Sequence, residues 1–216
     1  IEDPVELICE SFNQVAVNAN LGMTFANSLR TLLRQDPDII MVGEIRDLPT
    51  AENAIRAALT GHLVLSTLHT NDSITSITRL KDIGIEPYLI SSTLLGAVAQ
   101  RLVRTVCSYC KEYFNPTPAE LKILKITQAK AKNLIFSRGT GCKECNDTGY
   151  LGRTAIFEIL PISPKLIDYI NMEIGLEKMR ELAVKEGLVT LRESAIRKLV
   201  RGITTIEEVI RVTPSG

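Results

Sequence analysis

The chain has 216 residues, 45% hydrophobic and 23% charged, with 25 basic residues matched by 25 acidic ones. That length can bury one large core or two small ones, and the zero balance removes the bulk attraction to phosphate on which most nucleic-acid binders depend. Its apolar runs all fall short of the roughly 20 residues that span a bilayer, and the start does not read as a secretory leader.

In chain order, residues 1 to about 105 alternate strand-like and helix-like segments, the pattern of βαβ units around a mostly parallel sheet. The opening Ile1-Glu2-Asp3 has no initiating Met and reads as the end of a strand whose earlier part lies outside the sequence. Phe25, Leu29, Leu32 and Leu33 share one helical face, and Asp36-Pro37 stops that helix. Ile39 to Val42 predict a parallel strand covered on both faces. Pro49 opens a helix that Gly61 ends, and His62 to Leu68 predict a second buried strand. Asn71, Asp72 or Ser73 is expected to cap the helix that follows.

This order gives positions a chemical meaning, because ligands of open parallel sheets gather at the carboxyl ends of strands. Asp3, Glu44 and the segment from Thr67 to Asn71 all fall there. A buried strand running into Gly43-Glu44 can place a carboxylate against a metal-bound water and a phosphoryl group. Yet no glycine-rich phosphate loop ending in Gly-Lys-Ser or Gly-Lys-Thr occurs in the chain. His62 and His69 stand at opposite ends of one strand, roughly 23 Å apart at 3.3 Å per residue, so they cannot serve one phosphate.

From about 107 to 152 the texture changes. Cys107-Ser-Tyr-Cys110 and Cys142-Lys-Glu-Cys145 form two C-x-x-C pairs separated by 31 residues, with a helix expected over Pro116 to Leu124. Four thiolates suit tetrahedral Zn²⁺ with no open position, hence a structural site, and Lys111, Lys143 and Arg153 are placed to offset its charge. The surrounding polar segments are expected to need the metal in order to fold. Cys9 reads as a small buried apolar residue. Beyond, Arg153 to Leu160 predict a strand. Pro164 to Ile170, Leu176 to Lys185 and Leu191 to Val200 predict helices, with another starting over Thr204 to Val209. Arg211 to Gly216 read as a frayed tail.

Three stretches carry a family resemblance: IEDPVE at 1 to 6, LRTLLRQDPDIIMVGEIRD at 29 to 47 and GHLVLSTLHTND at 61 to 72. In order and spacing they resemble the Asp box, Walker B and His box of the secretion ATPases, which power type II secretion and type IV pilus machines. The four cysteines fit the pilus-assembly and type II secretion branches, whereas the retraction branch typically lacks them.

The resemblance implies an α/β, RecA-like, mostly parallel sheet, truncated and lacking its phosphate-loop strand, then a Cys₄ zinc module and a small helical subdomain. The divisions are 1–106, 107–152 and 153–216. It further implies Glu2, Glu44 and His69 as catalytic residues, with Asp3, Asp38 and Thr67 at the nucleotide. Arg46 can pair with Asp47 or Asp3 as a structural salt bridge, the role the resemblance favours, or reach an adjacent subunit as a transition-state cation, and His62 has a structural or intersubunit role. Cys107, Cys110, Cys142 and Cys145 would hold the metal.

The implied cofactors are ATP, Mg²⁺ and Zn²⁺. The implied partners are five further copies in a homo-hexamer and an inner-membrane platform protein, at the cytoplasmic face of that membrane, with no nucleic acid. The sequence alone would be an inactive fragment. A zinc-stabilised, non-catalytic adaptor is the competing class; it has no need of acidic and histidine residues converging at strand ends.

Overall fold

The computed structural model describes residues 1–127 and 134–213. They form two compact units, one made of Ile1–Ala97 with Leu160–Lys185, the other of Val98–Ile159 with the residues from Glu186 on. These units cut across the three consecutive segments expected from the sequence. The helical stretch after 153 is shared between them, and the cysteine segment is packed into the second.

In the first unit α1 (Phe25–Leu32) begins where the Thr24 hydroxyl accepts the Asn27 N–H. The next helix, α2 (Leu48–Leu59), begins where the Asp47 carboxylate accepts the Thr50 N–H. Such caps satisfy N–H groups that have no partner inside the helix. Between the helices runs β1 (Ile39–Val42), and β2 (Leu63–Ser66) pairs with it in parallel, Ile39 opposite Leu63 and Val42 opposite Ser66.

The chain start lies along the other edge of β1. Its ammonium donates to the Met41 carbonyl at 2.8 Å, and the Gly43 N–H donates to the Ile1 carbonyl at 2.8 Å. A Cβ on Gly43 would sit 3.1 Å from that carbonyl, so glycine permits the approach.

Ile1, Leu29, Ile40, Val42, Ala54 and Ala57 make the core of this unit. The expectation of a pair covered on both faces is corrected. Ile39, Met41, Leu63 and Leu65 stay exposed, since β1 alternates exposed and buried residues and the core lies on one face. Thereafter come α3 (Thr75–Ile83) and α4 (Pro87–Thr93). Further along the chain, α6 (Pro164–Asn171) and α7 (Leu176–Lys185) belong to the same unit.

β3 (Gly96–Val106) pairs with β6 (Tyr150–Pro161), all but two residues of each belonging to the second unit, where β4 (Lys111–Phe114) pairs with β5 (Phe136–Gly139). A capping box at Thr117 starts α5 (Pro118–Ile123) and another at Thr190 starts α8 (Leu191–Val200), which is followed by α9 (Ile206–Val212). The expected frayed tail is therefore partly wrong: Arg211 and Val212 are helical, while 214–216 lie outside the described residues.

Val103, Leu121, Leu124, Phe136, Ile156, Leu191, Leu199 and Val209 share one core. The cysteine segment thus contributes apolar anchors of its own, Leu121, Leu124 and Phe136, more than its short polar stretches led one to expect. No described helix is long and apolar enough to cross a membrane.

Candidate functional site

At the carboxyl end of β1 and β2 the backbone crosses over. The Thr67 hydroxyl donates to the Gly43 carbonyl at 2.6 Å and the Ile45 N–H donates to the Thr67 carbonyl at 3.1 Å. Glu44 is projected between these bonds with its side chain 13% exposed, against 64% for Arg46 and 83% for His69. Its Oε1 takes the Arg46 guanidinium at 2.5 Å and its Oε2 takes His69 Nε2–H at 3.0 Å. Chiefly the Arg46 hydrogen bond, helped by His69 and opposed by burial, holds the Glu44 carboxyl below the usual carboxylate range. Glu44 is ionised at neutral pH, as a carboxylate that must hold a metal or orient water has to be.

The other expected residues separate. Asp3 lies close enough for its charge to add to that of Glu44 in raising the Arg46 guanidinium. Glu2 is tied by its backbone to Val15 and Val17, and its carboxylate accepts from Gln14 Nε2 at 3.4 Å. Asp38 precedes β1, so at 3.3 Å per residue it stands roughly 20 Å from Glu44 and does not share this edge. His62 precedes β2, where its Nδ1 meets the Thr60 hydroxyl and the Ala57 carbonyl, both at 3.0 Å, a structural placement. Of the three residues expected to cap α3, Asp72 comes nearest, its Oδ1 accepting the N–H of Thr75, the first helical residue, at 2.9 Å; the cap position itself is Ile74, which makes no side-chain bond.

In the second unit the sulfurs of Cys107, Cys110, Cys142 and Cys145 all lie within 4.8 Å of one another. Cys107 is 3.9 Å from Cys142, Cys110 is 3.9 Å from Cys145, and Cys142 is 3.7 Å from Cys145. A tetrahedron with metal–sulfur bonds of about 2.3 Å has edges of about 3.8 Å, so this donor set fits Zn²⁺. The antiparallel pairing of β4 with β5 brings the two pairs together, with Thr140 N–H donating to the Cys110 carbonyl at 3.0 Å.

Cys145 Sγ accepts N–H bonds from Cys142 and Gly149, each at 3.3 Å, as metal-bound thiolates do. Burial opposes ionisation at Cys145, but these bonds and the neighbouring sulfurs bring it down to about 6, while burial pushes Cys142 up to about 11. Gly139 and Gly149 cross so closely that a Cβ on Gly139 would fall 2.1 Å from the Gly149 carbonyl. Only glycine at both places lets the backbone close over the cluster. Lys111, expected to offset the thiolates, holds its ammonium 5.0 Å from the centre of the Tyr113 ring.

Residues 1–211 match the family described as type II/IV secretion system protein. The chain belongs to that family. It is 50% identical over 214 residues to the type II secretion system ATPase E of Vibrio cholerae, covering 99% of this chain and 42% of that protein. It is 48% identical over 213 residues to the type IV pilus assembly ATPase PilB of Thermus thermophilus, covering 99% of this chain and 24% of that protein. It therefore spans less than half the length of either relative. Among solved structures, the pilus retraction motor PilT with bound ADP superposes with a TM-score of 0.69 at 27% identity, over 99% of this chain and 51% of that one.

One group in this secretion-family chain escaped sequence reasoning. Glu208, fully buried, accepts the Arg104 backbone N–H at 2.8 Å and the guanidinium groups of Arg104 and Arg211 at 2.7 to 2.9 Å. Arg104 also lies over the Tyr150 ring at 4.0 Å, and the Tyr150 hydroxyl pairs with Thr205 at 2.8 Å. The available signal was the i,i+3 spacing of Glu208 and Arg211.

Proposed function

We propose that this chain carries the acidic and histidine side of an ATP-hydrolysing motor that drives type IV pilus assembly or type II protein secretion. The observation that carries the reading is Glu44, a mostly buried carboxylate at the end of a parallel strand pair, bridged by His69 and Arg46. It stands in a chain half identical to a protein named as a type II secretion ATPase.

Bound ATP with Mg²⁺ would supply the electrophilic phosphorus and the counter-charge for its oxygens. The chain's own part follows from its geometry. Glu44, kept ionised, orients a water and accepts its proton. His69 Nε2–H can turn from Glu44 to a phosphate oxygen because its side chain is free in solvent. Thr67 fixes the Gly43 carbonyl and with it the direction in which Glu44 projects. Asp3 adds negative charge near Arg46, and Glu2, which accepts one bond from Gln14, is the second candidate base.

In this reading the first unit is part of a RecA-like core working as a homo-hexamer against an inner-membrane platform protein at the cytoplasmic face. The cysteine cluster is a structural zinc site. These 216 residues hold no glycine-rich cradle for phosphates, so alone they would not turn ATP over.

The test is Glu44→Gln in the complete protein. Turnover should fall by about a hundredfold with nucleotide affinity nearly unchanged, since the carboxylate acts on water and metal. Equal loss of affinity and turnover would remove Glu44 from this role.

A further inference from the structure

Three polar ties join the stretch from 72 to 91 to helices α6 and α7 and the turn between them within the first unit, each 2.7 Å long: Arg180 to Asp72, Lys81 to Glu173 and Ser91 to Asn171. The second runs from α3 to the turn between α6 and α7, and the third connects α4 with α6. The first ends on the loop that carries His69.

Asp72 is 8% exposed, and its two carboxylate oxygens have separate duties. Oδ1 accepts the Thr75 N–H that starts α3, and Oδ2 accepts the Arg180 guanidinium. Its carbonyl accepts the hydroxyls of Thr70 at 3.1 Å and Thr75 at 2.9 Å, so the residue next to His69 hangs on Asp72. Burial alone would raise the Asp72 carboxyl, but the bonds from Thr75 and Arg180 outweigh it and keep the group ionised. His69, 83% exposed, has almost no packing to fix it. Where its imidazole meets Glu44 is set by its backbone.

We propose that Arg180 is a positioning residue for His69: acting through Asp72 and Thr70, it sets where the imidazole meets Glu44, so that displacement of α7 is felt at the hydrolytic edge. This rests on Glu44 and His69 being the hydrolytic pair. Without Arg180, one oxygen of a nearly buried carboxylate loses its ionic partner; turning the side chain outward to water also breaks the Oδ1 bond to the Thr75 N–H, which frees the Asp72 backbone whose carbonyl holds Thr70. Loss of the Lys81 or Ser91 tie leaves the loop untouched.

The chain contains only two histidines, so imidazole NMR signals can be assigned, with His62 as an internal reference locked to Thr60 and Ala57. Arg180→Gln should move and broaden the His69 signals, leave His62 in place, and speed exchange of the Thr70 amide hydrogen on the order of tenfold. Arg180→Lys, which keeps a cation for the single contact, should restore most of the effect, and Lys81→Ala should show none. A lowered melting temperature with unchanged His69 signals and Thr70 exchange would make Arg180 purely structural and overturn the proposal. If Arg180→Gln does not fold, Asp72→Asn carries the same test, and an unmoved His69 there is equally decisive against it. Glu44→Gln is measured separately. A His69 signal indifferent to it would remove the hydrolytic pair, while the Arg180 variant still decides the positioning.

Discussion

Glu44 in the first unit and Glu208 in the second are both glutamates gripped by arginine, and the grip is similar in length, 2.5 Å from Arg46 and 2.7 Å from Arg211. They differ in what surrounds the pair. Every acceptor site on Glu208 is filled by two guanidinium groups and a backbone N–H, and the carboxylate is fully buried. Glu44 has one bond on each oxygen, both from side chains standing largely in solvent that can rotate away. An ion pair whose partners are saturated and hidden can only hold structure; one whose partners are replaceable can exchange them for a ligand.

The largest effect should come from breaking the hidden pair. Glu208→Ala removes a buried carboxylate that binds two half-exposed guanidinium groups and the Arg104 N–H, and should lower the stability of the second unit by about 3 kcal/mol in urea unfolding. Glu44→Gln, measured the same way, should change stability by no more than about 0.5 kcal/mol. Similar losses at both positions would erase the distinction.

Acid should separate the two units next. Burial alone would raise the Glu208 carboxyl, but the bonds from Arg211 and Arg104 outweigh it and hold it down to about 2, against an ordinary value of 4.5. A depressed folded-state value contributes stability that is complete above about 4.5 and is lost as pH falls through the folded value. The clamp should therefore weaken between pH 4.5 and about 2, by roughly 3 kcal/mol in all. Unfolding of wild type and Glu208→Ala should converge over that window. Curves that stay parallel would show that the clamp does not titrate.

The two pairs were also unequally readable in the amino-acid sequence. Glu44, Thr67 and His69 were legible because two short apolar runs, each closed by polar residues, force a parallel topology whose carboxyl ends must meet. Glu208 was not, because Arg104 lies 104 residues away and nothing local predicts which strand α9 will cover. The adjacent Glu207 stays exposed, and alone the pair reads as a solvated helix start. Element limits fared well wherever a side chain caps a helix, as at Thr117 and Thr190. The Gly139–Gly149 crossing was hidden for the same reason as the clamp, since it depends on the backbone of two distant segments.

Metal removal probes a smaller region. Chelation, or Cys142→Ser, should abolish metal uptake of one equivalent per chain and open the loops around 107–110 and 140–149 to protease. Phe136, Leu121 and Leu124 belong to the shared apolar core, so the amide hydrogens of α8 should keep their protection from exchange. Melting of α8 on chelation would mean that the metal, rather than this core, organises the whole unit.

The smallest effect is the sharpest test of the opening contrast, because it varies only the arginine. Arg211→Ala leaves Glu208 buried with Arg104 still bound, so part of the charge remains compensated. The lost bonds are to a hidden carboxylate that water cannot reach, and the cost should be about 1–2 kcal/mol. Arg46→Ala removes an equally short bond from a side chain that is 64% exposed. Water replaces the guanidinium at once, and urea unfolding should show no resolvable change in stability. The same substitution should let the Glu44 carboxyl move up toward its ordinary value, since the Arg46 bond is the chief cause holding it down. Carbon-13 titration of the Glu44 side chain reads that movement directly. A stability loss at Arg46 as large as at Arg211 would mean that Glu44, like Glu208, is held for structure, and that its partners are not available for exchange.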